Sequence, residues 1–173
     1  NQHILFTTKT GVIKKSNLSS YRNIRKGGII AINIEDGDEL IAALMTNGHN
    51  EVVLITKDGM SIRFSEEGIR DMGRTATGVW GIRPAKGDFV IGAALVVADT
   101  TLLVAGANGV GKRTEFDEYR LQGRGGKGII TMKVTDKTGV VVGALSVRET
   151  DEIMLMTSGG QSVRTRVSEI RMT

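Results

Sequence analysis

Ile4-Leu5-Phe6-Thr7-Thr8-Lys9-Thr10-Gly11 returns as Val53-Leu54-Ile55-Thr56-Lys57-Asp58-Gly59, as Leu103-Val104-Ala105-Gly106-Ala107-Asn108-Gly109 and as Met154-Leu155-Met156-Thr157-Ser158-Gly159-Gly160. The closing glycines Gly11, Gly59, Gly109 and Gly160 are spaced 48, 50 and 51 residues apart. Four residues after each stands a base (Lys15, Arg63, Arg113, Arg164), and seven further on an arginine (Arg22, Arg70, Arg120, Arg171). Three units continue with a glycine that opens an apolar run: Gly28-Ile29-Ile30-Ala31-Ile32, Gly78-Val79-Trp80-Gly81-Ile82 and Gly128-Ile129-Ile130-Thr131-Met132. A period near 50 that runs the length of the chain decides the fold before any local propensity does.

Each unit carries about four short apolar, β-branched runs bounded by Gly, Asp and Asn, which read as strands. No segment sustains a 3.6-residue period, although Ser65–Asp71 has room for one helical turn. Four strands per unit of about 50 residues is propeller geometry, one small sheet per blade. The expectation is an all-β, propeller-like or pinwheel domain over 1–173, with units at about 3–50, 51–100, 101–151 and 152–173. That makes three and a half to four blades. The fourth unit stops at Thr173 after two strands, so the chain reads as a piece of a larger ring, or as one whose terminal strands complete each other's blade.

Composition narrows the function. The chain has 173 residues, 23 Lys+Arg against 19 Asp+Glu, no Cys and two His. That length buries a core without staples, and zero Cys removes thiol nucleophiles and Cys-ligated zinc. The longest small-or-apolar stretch, Val90–Ala98, is too short for a bilayer, and the start shows no signal pattern. A cytoplasmic, metal-free protein without a membrane partner is expected.

Two motifs fail against the repeat. Gly106–Lys112 fits G-x-x-x-x-G-K, but Arg113 stands where the magnesium-holding Ser/Thr belongs, and the stretch is in register with plain hairpin turns. Gly123–Gly128 fits G-x-G-x-x-G but leads into a strand instead of a helix. No catalytic constellation survives: Tyr21 and Tyr119 share a repeat position and read as packing residues beneath the basic loops. His3 and His49 read as surface residues, and Trp80 as core.

Basic charge placed by the period is what remains. Lys14, Lys15, Arg22, Arg25 and Lys26 in the first unit find partial echoes in Arg63, Arg70 and Arg74. They are echoed again in Lys112, Arg113, Arg120, Arg124 and Lys127, and at the end in Arg164, Arg166 and Arg171. Acids gather on the other turns, as in Glu35-Asp36-Gly37-Asp38-Glu39. Around a ring this separates a basic edge from acidic turns. A charge run is ordinarily a solvated face, and a repeated arginine also suits a blade-to-blade anchor. For the whole set, clustered with glycine, a phosphate track is the better reading. With 4% aromatic residues and no recognition helix, the partner expected is duplex DNA bound without base readout.

The run Gln122-Gly123-Arg124-Gly125-Gly126-Lys127-Gly128 resembles the basic glycine box of the DNA gyrase A protein. Thr77–Arg83, Gly109–Thr114 and Ser162–Ile170 resemble the repeats of that protein's C-terminal domain. The likeness runs the length of the chain. It implies a six-bladed β-pinwheel with strands exchanged between blades, of which these residues form roughly the last four. It further implies a non-catalytic domain that wraps duplex DNA in support of ATP-dependent negative supercoiling. The partners implied are the rest of the gyrase A protein and the ATPase-bearing gyrase B protein, near the nucleoid of the bacterial cytoplasm. ATP and magnesium would belong to the full enzyme, with no cofactor here. The family's box has a base where Gly123 stands and normally lies in the first blade, so this one is degenerate. The alternatives are a protein-binding propeller and the corresponding C-terminal domain of topoisomerase IV.

Overall fold

The computed structural model describes residues 2–173. Each recurring Gly-closed stretch is the turn of an antiparallel hairpin. The first is β1 (His3–Thr8) with β2 (Val12–Asn17), followed across a long irregular loop by β3 (Leu40–Thr46). The second unit holds β4 (Glu51–Thr56), β5 (Met60–Ser65), β6 (Val79–Trp80) and β7 (Val90–Leu95). The third holds β8 (Thr101–Gly106), β9 (Gly111–Glu115), β10 (Leu121–Gln122), β11 (Ile129–Ile130) and β12 (Val141–Val147). The last is the hairpin β13 (Glu152–Met156) with β14 (Ser162–Arg166). After each hairpin comes a single short 3-10 turn, among them Glu66–Gly68, where the Ser65 hydroxyl accepts the Glu67 N–H.

The sheets are not made from one unit each. The first runs β3-β1-β2-β6, so its outermost strand is lent by the second unit. The second runs β10-β5-β4-β7 with β11 also paired to β5, and both β10 and β11 are lent by the third. The same hydrogen bonds fasten each loan: Gly81 and Ile82 N–H donate to the Gly11 carbonyl at 2.8 and 3.3 Å, and Thr131 and Met132 N–H to the Gly59 carbonyl at 2.7 and 3.3 Å. At the third step Arg113 N–H donates to Arg171 O and Thr173 N–H to Arg113 O, both at 2.8 Å. This strand exchange is the pinwheel that the family resemblance implies.

Strand β4 explains the layering. Val52 and Leu54 enter one apolar cluster, with Leu5, Ile13 and Phe64. Val53 and Ile55 enter another, with Leu102, Val104, Phe116 and Met132. Alternate residues point to opposite faces of a sheet, so a fully apolar run belongs to a sheet covered on both sides. Strands β3, β7 and β12 contact one another in succession and form the inner wall. The short lent strands therefore lie outermost, on the rim. Among the described residues no helix is long and apolar enough to cross a membrane.

Two expectations are corrected here. Trp80 is not core: it is 41% exposed, because β6 is an outermost strand and the ring points off it. His3 is not a surface residue: it is 8% exposed, with Nδ1 2.8 Å from Asp71 Oδ1 in the next unit. His49 is exposed, as expected. Gly106–Gly111 closes the β8–β9 hairpin, with Gly109 N–H on Gly106 O at 3.1 Å, which is the hairpin reading of that segment.

Candidate nucleic-acid interface

The stretches that follow each 3-10 turn carry the exposed cations. Arg22, Arg25, Lys26, Arg70, Arg120, Arg124 and Lys127 are all exposed, and Arg74 is half-buried. The second repeated base of each unit (Arg22, Arg70, Arg120, Arg171) is exposed every time. These side chains follow the turn that ends each hairpin, so the period of the fold sets their spacing. Arg164 and Arg166 are exposed as well, with Arg164 paired to Glu152.

In the first three units the first repeated base, expected on the rim, turns inward instead, and Lys14 does the same. Lys15 is buried and its Nζ donates to Glu66 O at 3.0 Å, with Glu66 Oε1 3.9 Å away. Arg63 donates to Phe116 O at 2.7 Å and Tyr119 O at 3.3 Å while paired with Glu51. Arg113, 5% exposed, donates to Ile170 O at 3.0 Å and pairs with Glu149. In each case a cation reaches from one hairpin to carbonyls in or just after the following unit's 3-10 turn, where Glu66 O and Phe116 O also accept the N–H groups of Ile69 and Tyr119. Lys14 is fully buried and donates to the carbonyls of Ala31, at 2.7 Å, and Arg74. Burial first, and the Arg74 charge second, hold its pKa below the ordinary lysine value. All four cations are thus engaged within the fold.

Lys112, the counterpart of Lys14, is half-buried, and burial together with the Arg171 charge lowers its pKa too. Tyr21 donates to Ala31 O at 3.1 Å, and the buried Tyr119 hydroxyl bonds Thr131. Burial raises the Tyr119 pKa, opposed in part by hydrogen bonds from Thr131 and Thr114. Both rings pack beneath the basic loops, as their shared position suggests.

The glycine box lies across the rim between two blades. Gln122 ends β10, which pairs parallel with β5. Arg124 Nη1 donates to Trp80 O at 3.2 Å, Gly125 N–H to Gly81 O at 2.7 Å, and Arg83 N–H to Gly126 O at 2.9 Å. Gly123 faces open space, Lys127 is exposed, and Gly128 enters β11. Two rim cations escaped the sequence reading: Arg83 and Lys133, both exposed and both five residues past the glycine that opens the lent strand. Their shared register was the available signal. The acidic turns sit by the hairpin ends instead. Asp38 Oδ1 accepts Thr10 N–H at 3.0 Å and Asp88 Oδ1 accepts Asp58 N–H at 3.0 Å. Burial tends to raise the Asp38 pKa, but hydrogen bonds from Thr8, Thr10 and Glu39 outweigh it and hold the pKa below the ordinary carboxylate value.

A family profile described as "DNA gyrase C-terminal domain, beta-propeller" matches residues 2–47, 50–96, 100–148 and 151–173. Over 168 residues the chain is 45% identical to the DNA gyrase A protein of Salmonella typhimurium, covering 97% of this chain and 19% of that protein. Two solved structures each cover 100% of the chain. The C-terminal domain of DNA topoisomerase IV gives a TM-score of 0.94 at 26% identity and is 55% covered. The DNA gyrase A C-terminal domain gives 0.90 at 28% and is 58% covered. The chain thus spans about a fifth of the length of the curated relatives it matches.

Proposed function

Because the chain belongs to the DNA gyrase C-terminal domain family, we propose that it is a non-catalytic repeat domain that binds and wraps duplex DNA on its outer rim. The observation that carries this is the periodic exposure of Arg22, Arg70, Arg120 and Arg171, one per unit, beside the box cations Arg124 and Lys127. Units of about 50 residues in one ring-like domain put these charges on a curved track. Each phosphate neutralised releases condensed counterions, so the contacts add without reading sequence. Bending 20–30 bp by 40–90° costs about 1–6 kcal/mol, which several such contacts offset. Arg25, Lys26, Arg74, Lys112, Arg164 and Arg166 complete the proposed set, joined by Arg83 and Lys133.

The sequence relatives favour gyrase over topoisomerase IV, and with it a part in ATP-dependent negative supercoiling. Strand breakage, ATP and magnesium then belong to the remainder of the gyrase A protein and to the ATPase-bearing gyrase B protein, in the bacterial cytoplasm. The test is binding of a mixed-sequence duplex across a salt series. A log–log slope of several units, alike for unrelated sequences, is expected. Charge reversal at Arg22, Arg70, Arg120 and Arg124 should flatten it by about 0.9 per site. Binding with no salt slope overturns the rim.

A further inference from the structure

The rim carries one feature that phosphate tracking does not use. Ile30, Trp80 and Ile130 occupy the same position in the three apolar runs, and all three point outward, 58%, 41% and 69% exposed. Scattered apolar residues on a surface are ordinary, but one recurring at the same place in each apolar run beside a basic loop is a patterned surface. Trp80 is the most elaborated of the three. The Arg83 guanidinium lies over its ring, 5.6 Å from the centroid. Arg124 donates to its carbonyl, and Gly125 lies alongside, where a Cβ would sit 3.7 Å from the Trp80 Cβ. A stacked arginine holds the ring in place, so little freedom is lost when a ligand meets it.

We propose that Trp80 is an uncharged contact to the sugar-and-base surface of the bound duplex, seated between Arg83 and Arg124, with Ile30 and Ile130 as its weaker equivalents on neighbouring blades. The proposal rests on the reading that the rim binds duplex DNA. Charge complementarity selects that occupant. One recess beside the ring is lined by two cations, Lys9 and Arg83, against one carboxylate, Asp88. A second recess against the ring is lined by two carboxylates, Glu35 and Asp38, and no cation, and so repels a phosphodiester. The backbone of the duplex is therefore steered past the arginine side, and the ring meets the groove surface between phosphates, as apolar side chains of DNA-bending proteins do.

Trp80 is the single tryptophan of the chain, so its emission reports this contact alone. A labelled mixed-sequence duplex is titrated into the 173-residue chain at low salt, following label anisotropy and tryptophan emission together. Binding accompanied by a change in emission is expected. Trp80→Ala should weaken binding roughly fivefold, as for loss of a modest apolar contact area, with the salt slope unchanged because no charge is removed. Trp80→Phe should restore most of the affinity, and Arg124→Glu should lower the slope by about 0.9. Normal anisotropy with unmoved emission and wild-type affinity for Trp80→Ala overturns this contact and leaves the basic rim standing. No binding at low salt overturns both.

Discussion

Gly28, Gly78 and Gly128 open the three apolar runs of the rim, with φ of +79°, +101° and +82°. Their surroundings differ in a way that isolates the free energy of strand exchange. A Cβ on Gly128 would sit 2.3 Å from Ser61 O, and one on Gly78 2.2 Å from Ile13 O, each more than 1 Å inside ordinary contact. A Cβ on Gly28 would meet nothing within 4 Å. Gly28→Ala therefore costs only the left-handed backbone strain, about 1–2 kcal/mol. Gly128→Ala carries that strain and must also push β11 off β5. The hydrogen bonds from Thr131 and Met132 to Gly59 O lie at this latch, and losing two costs about 1 kcal/mol each. The sums come to about 1.5 and about 3.5 kcal/mol from the same strain and hydrogen-bond magnitudes. At about 2–4 °C per kcal/mol for a chain of this size, Tm falls by about 4 °C for Gly28→Ala and about 10 °C for Gly128→Ala. Scanning calorimetry of the two variants beside wild type measures this. Equal losses in Tm would refute the argument, since they would mean that the close approach to Ser61 O carries no free energy.

Arg113→Met removes a buried cation that anchors the last 3-10 turn, leaving Ile170 O unpaired, and should cost about 1–3 kcal/mol in urea unfolding. Arg120→Ala, at an exposed repeat position, should change stability by less than about 0.5 kcal/mol while lowering the salt slope of duplex binding. The Asp38 pKa is lowered in the folded chain, so its stabilisation is full above the unfolded value near 3.8 and is lost as pH falls through the folded value. Asp38→Asn should thus be less stable than wild type at pH 7, with the gap in urea midpoints closing as pH falls below that unfolded value. Lys15→Met should destabilise the first blade boundary without altering the salt slope of duplex binding, because Lys15 is buried and donates to Glu66 O.

Much of this was legible without coordinates, and the limits have physical causes. A run such as Val53-Leu54-Ile55, leading into Thr56-Lys57-Asp58-Gly59, carries its own strand and turn chemistry, so every hairpin stands where the repeat put it. Repetition also separated a hairpin turn at Gly106–Lys112 from a phosphate loop. Side-chain direction was harder. Lys14 and Lys15 are adjacent and read as one basic cluster, yet both turn inward onto carbonyls more than ten residues away. Trp80 sits in an apolar run that looks like core, but the run ends on the outermost strand of another unit's sheet.

The period, the hairpins, the all-β class and the family could all be read from the chain alone, because they depend on residues near one another or on their regular recurrence. Which bases face solvent, and which fasten one blade to the next, was settled by the packed blades. A lysine or arginine has a long stem and a charge satisfied equally by a phosphate or by the carbonyls of a 3-10 turn. Which of the two it meets depends on where the neighbouring unit lies, and that is set by packing β4 between two apolar clusters and by lending β6 and β11 across blade boundaries.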